Sequence, residues 1–234
     1  MRGSLLALWV AATTLVACSA DRRPLETVVS RYANAPEYSI VLSDMDRSGT
    51  FWTTHRQRFH VIRELSDGRI KDQVTPWIEV DEAAYKGLAP YLGMTVLAKT
   101  ADGVLNTPFP PAYHRVGDRR CGDWQLDGNG ERSWYWNDRC RVYSRWVGRW
   151  GGGSYNTRPI LVGDWQDYRS RRTDRPYFGR GGKKTFGTEG SYTRQTNPTF
   201  FERQKQRVAQ RQASFDQKSK SRSGRGRGGR RGGK

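Results

Sequence analysis

The positive charge of this chain is segregated along its length. Residues 169–234 hold 20 Lys/Arg against 4 Asp/Glu, whereas residues 24–117 hold 10 against 11 and residues 118–168 hold 8 against 7. A segment so charged and so poor in apolar residues has little to bury, so the folded part has to come from the near-neutral stretch before it. With 35% hydrophobic residues over 234 positions, the chain has room for one domain with a modest core and a large irregular portion.

Within the near-neutral stretch the hydrophobic period changes several times. Leu25, Val28, Val29 and Tyr32 are three and four apart, which predicts a short helix ending near Asn34, before Pro36. Tyr38 to Met45 and Thr50 to Glu64 are rich in strand formers and are separated by Arg47-Ser48-Gly49, so they read as a hairpin with a long second arm. Lys71 to Val80 supplies a third strand, which Pro76 makes irregular or confines to an edge. Asp81 is placed to cap a helix that ends near Gly87 or Pro90, and Met94 to Lys99 is a fourth strand. Residues 25–105 therefore read as a compact unit of the α+β class: a small antiparallel sheet with one or two short helices on a face.

Pro108, Pro110 and Pro111 mark residues 106–120 as a linker to an aromatic segment. In that segment Asp127-Gly128-Asn129-Gly130 is a hairpin turn signal with tryptophans on both flanks. Gly122-Asp123-Trp124-Gln125 recurs as Gly163-Asp164-Trp165-Gln166, although the surroundings of the two copies differ. Beyond Tyr168 little is expected to fold alone. Thr199 and Glu202 form a capping box for a helix near 198–217, along which Phe201, Val208 and Phe215 make a thin apolar stripe. The residues from Ser221 to Lys234 are Gly, Arg, Ser and Lys, and are expected to be disordered.

Three chemical motifs are weighed against simpler readings. Asp44, Asp46, Ser48 and Gly49 match the opening of an EF-hand calcium loop, but His55 stands where a bidentate glutamate belongs, so a hairpin turn with solvated carboxylates is preferred. His55, His60 and His114 fall in no metalloprotease, nucleophile-elbow or phosphate-loop pattern, and no enzyme activity, cofactor or metal is expected. If residues 139–150 were helical, Arg141, Arg145 and Arg149 would line one face and Tyr143, Trp146, Val147 and Trp150 another. That pattern makes Arg141, Tyr143, Arg145, Trp146, Arg149 and Trp150 candidate membrane-interface residues; the simpler reading packs the aromatics on the sheet.

The N-terminus carries a short basic start, an apolar run from Leu5 to Val16, and Leu15-Val16-Ala17-Cys18. This is the layout of a signal peptide, and it resembles the lipobox of bacterial lipoprotein precursors. A transmembrane anchor needs roughly 20 apolar residues, more than this run supplies. Secretion with cleavage near Ala20, or a core helix, are the remaining readings. The lipobox resemblance implies cleavage before Cys18, acylation of its thiol and a membrane anchor of more than one acyl chain. Because Ser19, not aspartate, follows the cysteine, it also implies the outer membrane. With Cys18 assigned to lipid, Cys121 and Cys140 remain as an even pair in an oxidising setting and are expected to form a disulfide.

The chain also loosely resembles bacterial surface lipoproteins that join a small globular head to a basic Gly/Arg tail; no activity comes with that likeness. The tail itself resembles the RGG segments of RNA-binding proteins, but export argues against RNA. The expected partners are the membrane, through the anchor, and an anionic envelope polymer, lipid phosphate or extracellular DNA. The contacts would come from Arg222, Arg225, Arg227, Arg230, Arg231 and Lys234 by counter-ion release. The expected organisation is a signal peptide at 1–17, a lipidated tether at 18–24, the α+β unit at 25–105, a Trp-rich disulfide segment packed on it at 106–168, and a basic, largely disordered tail at 169–234. The function so read is that of an envelope interaction module. The competing reading is a small-ligand or carbohydrate-binding domain that uses Trp124, Trp134, Trp136 or Trp165.

Overall fold

A computed structural model describes residues 24–49, 52–126, 130–150, 158–171 and 175–225, with 149–150 and 221–225 as backbone only. The candidate signal peptide, Cys18, and Arg227, Arg230, Arg231 and Lys234 lie outside the described residues. The fold is α+β. Helix α1 (Pro24–Arg31) is followed by β1 (Tyr38–Ser48), β2 (Thr54–Glu64), β3 (Ile70–Val74), β4 (Ile78–Val80), α2 (Glu82–Leu88), β5 (Thr95–Thr100) and β6 (Gly103–Leu105). These strands form one antiparallel sheet of order β3-β2-β1-β5-β6, with β4 beside β3 on the free edge of β2. The expected third strand is thus two short ones. Thr75 and Pro76 fall between them, because proline offers no N–H to the ladder. The Asp81 carboxylate accepts from the Ala84 N–H at 2.6 Å and caps α2 as the sequence predicts.

A second, smaller sheet follows: β7 (Gly122–Leu126) pairs antiparallel with β8 (Arg132–Trp136), which pairs parallel with β9 (Arg149–Trp150). Among the described residues three α-helices follow: α3 (Val162–Arg171), α4 (Ser191–Thr196) and α5 (Pro198–Arg225).

Strand alternation sends side chains of the large sheet into two cores. Phe59 and Val61 of β2 join Val28, Tyr32, Ile40, Leu42, Leu92 and Phe200, on the side covered by α1, α2 and the start of α5. Ile62 joins Met94, Phe109, Tyr113, Trp134, Trp136, Tyr143, Tyr168 and Phe186. The Cys121–Cys140 disulfide lies in this second, aromatic core, both cysteines buried and their Cα atoms 5.0 Å apart. Trp136 packs so closely on Gly148 (φ +84°) that a Cβ there would collide with the indole, and its Nε1 donates to the Val147 carbonyl at 2.8 Å.

Two expectations about order are corrected. Residues 106–120 are not a linker. Phe109 exchanges backbone hydrogen bonds of 3.0 and 2.9 Å with Thr95, and Ala112, Tyr113 and Arg115 are buried. Prolines hide such a segment from period-based reading, since it contributes to the core without being helix or strand. The tail also begins later than expected: Tyr177, Phe186 and Phe200 are buried, so residues 175–200 belong to the fold. Helix α5 begins at Pro198, so Thr199 and Glu202 lie inside its first turn and do not bracket its start.

Candidate functional site

The C-terminal helix is fastened to the sheet by a buried pair of carboxylates. Register on β1 slips between Leu42 and Asp44, leaving Ser43 as the extra residue. Asp44 and Asp46 then lie two apart and so share one face of β1. Both are 5% exposed, and they stand opposite Arg58 and Arg56 of β2. Arg58 binds Asp44 at 3.1 Å and Arg56 binds Asp46 at 2.6 Å. Both guanidiniums lie over the Trp77 ring, at 4.7 and 5.7 Å from its centroid.

From the other side α5 presents Arg203 to Asp44 and Arg207 to Asp46, one helical turn apart. Each carboxylate is therefore held between a strand arginine and a helix arginine. Burial alone would raise the Asp46 carboxyl, but hydrogen bonds from Arg56 and Arg207 outweigh it and hold the group below its ordinary value. The solvated-turn reading of these aspartates is corrected: they are the socket for a helix. Among the described residues no group of three His, Cys, Asp or Glu is arranged to hold a metal ion.

Beyond this socket α5 leaves the head. Phe200 is buried in the core, Phe201 packs edge-on against it at 5.1 Å, and every residue from Val208 to Lys220 is exposed. The helix has 28 residues, which is about 42 Å at 1.5 Å per residue. It carries eight Lys/Arg against two Asp/Glu. Arg203, Arg207 and Arg211 follow at four-residue steps and Lys218 returns to the same side, so the face that docks into the sheet continues outward as a basic stripe. Lys220 is exposed on the same projecting part, and Arg222 and Arg225 fall on the last turns. The sequence reading placed the basic contact in the Gly/Arg tail and missed Arg203, Arg207, Arg211, Lys218 and Lys220. The signal for the three arginines was their four-residue spacing.

The other candidate residues are spread apart. Residues 139–150 are not one helix: a 3-10 turn covers Arg141–Arg145, and Arg149 and Trp150 belong to β9. Tyr143 and Val147 are core residues, Arg145 binds Asp72 at 3.1 Å, and Arg141 is exposed. The shared helical face on which the membrane-interface reading depended is therefore absent, because Tyr143 and Val147 are taken up by the aromatic core. Trp134 and Trp136, 1% and 2% exposed, offer no sugar platform. Trp124 and Trp165 are half-buried against each other at 5.7 Å; the repeated tetrapeptide supplies both, once from strand β7 and once from helix α3. Among the described residues no helix is long and apolar enough to cross a membrane.

No protein-family model, curated protein or solved structure matches this chain.

A second charged cluster is internal. Arg115, 4% exposed, binds Glu37 at 2.8 Å and Glu64 at 3.2 Å, while Arg139 binds Glu64 at 2.7 Å and Arg120 reaches Glu37 at 3.6 Å. This cluster clamps the disulfide segment to the ends of β1 and β2. Its opposite charges are paired within it, which suits a structural role.

Proposed function

We propose that this protein is an exported, lipid-anchored envelope module that binds polyanions through α5 and the Gly/Arg residues after it. The observation that carries the reading is the basic stripe of α5. The helix is fixed to the head by Arg203 and Arg207, and its cations continue along an exposed rod toward a terminus still richer in arginine. Cations spaced on a rod neutralise a chain of phosphates, sulfates or carboxylates by releasing its counter-ions, with no demand on sequence. An anionic envelope polymer, lipid phosphate and extracellular DNA all meet that requirement. Support for export comes from the residues Leu15–Cys18 and from the Cys121–Cys140 disulfide, a cross-link kept mainly in oxidising compartments.

Two variants test the two ends. Cys18→Ala is expected to move the protein from the membrane to the soluble fraction and to abolish acyl labelling; unchanged membrane association would refute the anchor. Deleting residues 219–234 is expected to weaken retention on heparin and binding to duplex DNA. Equal binding by the shortened protein would remove the C-terminal contribution.

A further inference from the structure

The face of the large sheet away from α1 and α2 carries a cleft of about 290 Å³, at the small end of ligand cavities. It opens where β1 and β2, the 3-10 turn at Arg141–Arg145, and α4 converge. Ser43, the bulge residue of β1, lines it, and its hydroxyl is held by the Arg58 carbonyl at 2.8 Å. One wall is a fixed polar set: His60 Nε2 and Arg145 Nη1 share the same oxygen of Asp72, at 2.8 and 3.1 Å. Trp146 stands edge-on to His60, their ring centres 5.0 Å apart, and is itself held through its carbonyl, which accepts from the Tyr192 hydroxyl at 2.6 Å.

The opposite wall is the end of α4. There the Asn197 side-chain amide makes only long contacts within the protein, 3.3 Å to the Thr196 hydroxyl and 3.5 Å to the Thr193 carbonyl. The Asn197 amide therefore retains donor capacity for a stronger partner, and the Thr196 hydroxyl, which donates to the Tyr192 carbonyl at 3.0 Å, remains open as an acceptor.

The charges in this cleft cancel. Arg145 is matched by Asp72. Burial pushes the His60 imidazole below its ordinary value despite the pull of Asp72, which disfavours a positive charge on the ring. A cation finds no carboxylate among the lining residues, and an anion would have to compete with Asp72 for Arg145. An uncharged ligand with a C–H face and a rim of hydroxyls finds the indole of Trp146, the ring of Pro111, and donors and acceptors on both walls. The catalytic alternative is weaker. Ser43, His60 and Asp72 have the composition of a hydrolase triad, but the serine hydroxyl donates to a backbone carbonyl and the histidine offers its bond to the aspartate through Nε2.

We propose that this cleft binds a single neutral sugar ring, packed on Trp146 and hydrogen-bonded by Thr196 and Asn197. The proposal does not rest on the polyanion reading, although Asn197 immediately precedes α5.

The test is a titration of the protein carrying its full α5, followed by tryptophan fluorescence and calorimetry. The probes are glucose, galactose and N-acetylglucosamine, with glucuronate and inorganic phosphate as charged controls. Saturable binding of at least one neutral sugar is expected, weakened about tenfold in Thr196→Val, as for removal of one hydrogen bond, and abolished in Trp146→Ala. The threonine is exposed, so its variant keeps the test valid if the tryptophan variant fails to fold. Absence of saturation by all three sugars, tighter binding of either charged control, or wild-type affinity in Thr196→Val would each overturn the proposal.

Discussion

Asp46 shows how one side chain positions an element. Its carboxylate has left water, yet Arg56 and Arg207 hold it ionised. Removing it leaves two guanidiniums facing each other across a cavity. Breaking a well-buried pair costs about 3–5 kcal/mol, and the partial exposure of both arginines reduces this to roughly 1–2 kcal/mol. Asp46→Ala is therefore expected to undock α5 before it unfolds the head. Hydrogen exchange should rise at residues 198–207 and stay near wild type in β1 and β2. His114 provides a second residue-scale test. Burial lowers its imidazole from the usual 6.5 to about 3, and its Nδ1 is buried without a partner. The unfolded chain then binds a proton that the folded chain does not, so stability is full above pH 6.5 and falls as pH drops from there toward 3. Between pH 7 and pH 5 the decrease from this group is about 2 kcal/mol. Denaturant midpoints should fall over that range in the wild type and much less in His114→Phe.

At the scale of elements, local chemistry and long-range chemistry part company. The hairpin of β1 and β2, the break at Pro76 and the Asp81 cap were legible because turn residues, period-two alternation and caps are written within a few positions. Segment 106–116 was not legible: its buried residues Phe109, Tyr113 and Arg115 follow no period, and Ala112 takes φ +67°, a backbone state that only the surrounding core makes tolerable. The docking of α5 was illegible for a different reason. Asp44 and Arg203 are 159 positions apart, and neither neighbourhood announces the other. Likewise the arginines and aromatics of 139–150 fit a helical wheel on paper. The chain breaks that wheel because Tyr143 and Val147 gain more from the core beside the disulfide than from an exposed face.

On the scale of the whole molecule, charge and packing divide the labour. The near-neutral stretch folds around two cores, and residues 175–200 are drawn into that fold by Tyr177, Phe186 and Phe200 despite the basic company they keep. The surplus positive charge is then carried outward on α5. The cleft beside Trp146 stayed hidden in the sequence because its walls come from separate stretches that only the fold brings together. On the reading proposed above, the projecting helix makes the polyanion contact together with the Gly/Arg residues. The decisive experiment is the affinity for a short DNA duplex as a function of salt, compared between the wild type and the triple variant Arg211→Gln, Lys218→Gln, Lys220→Gln. Weaker binding is expected, with a log–log salt slope shallower by about 0.9 for each phosphate that is no longer neutralised. An unchanged slope with unchanged affinity would contradict a role for the helix.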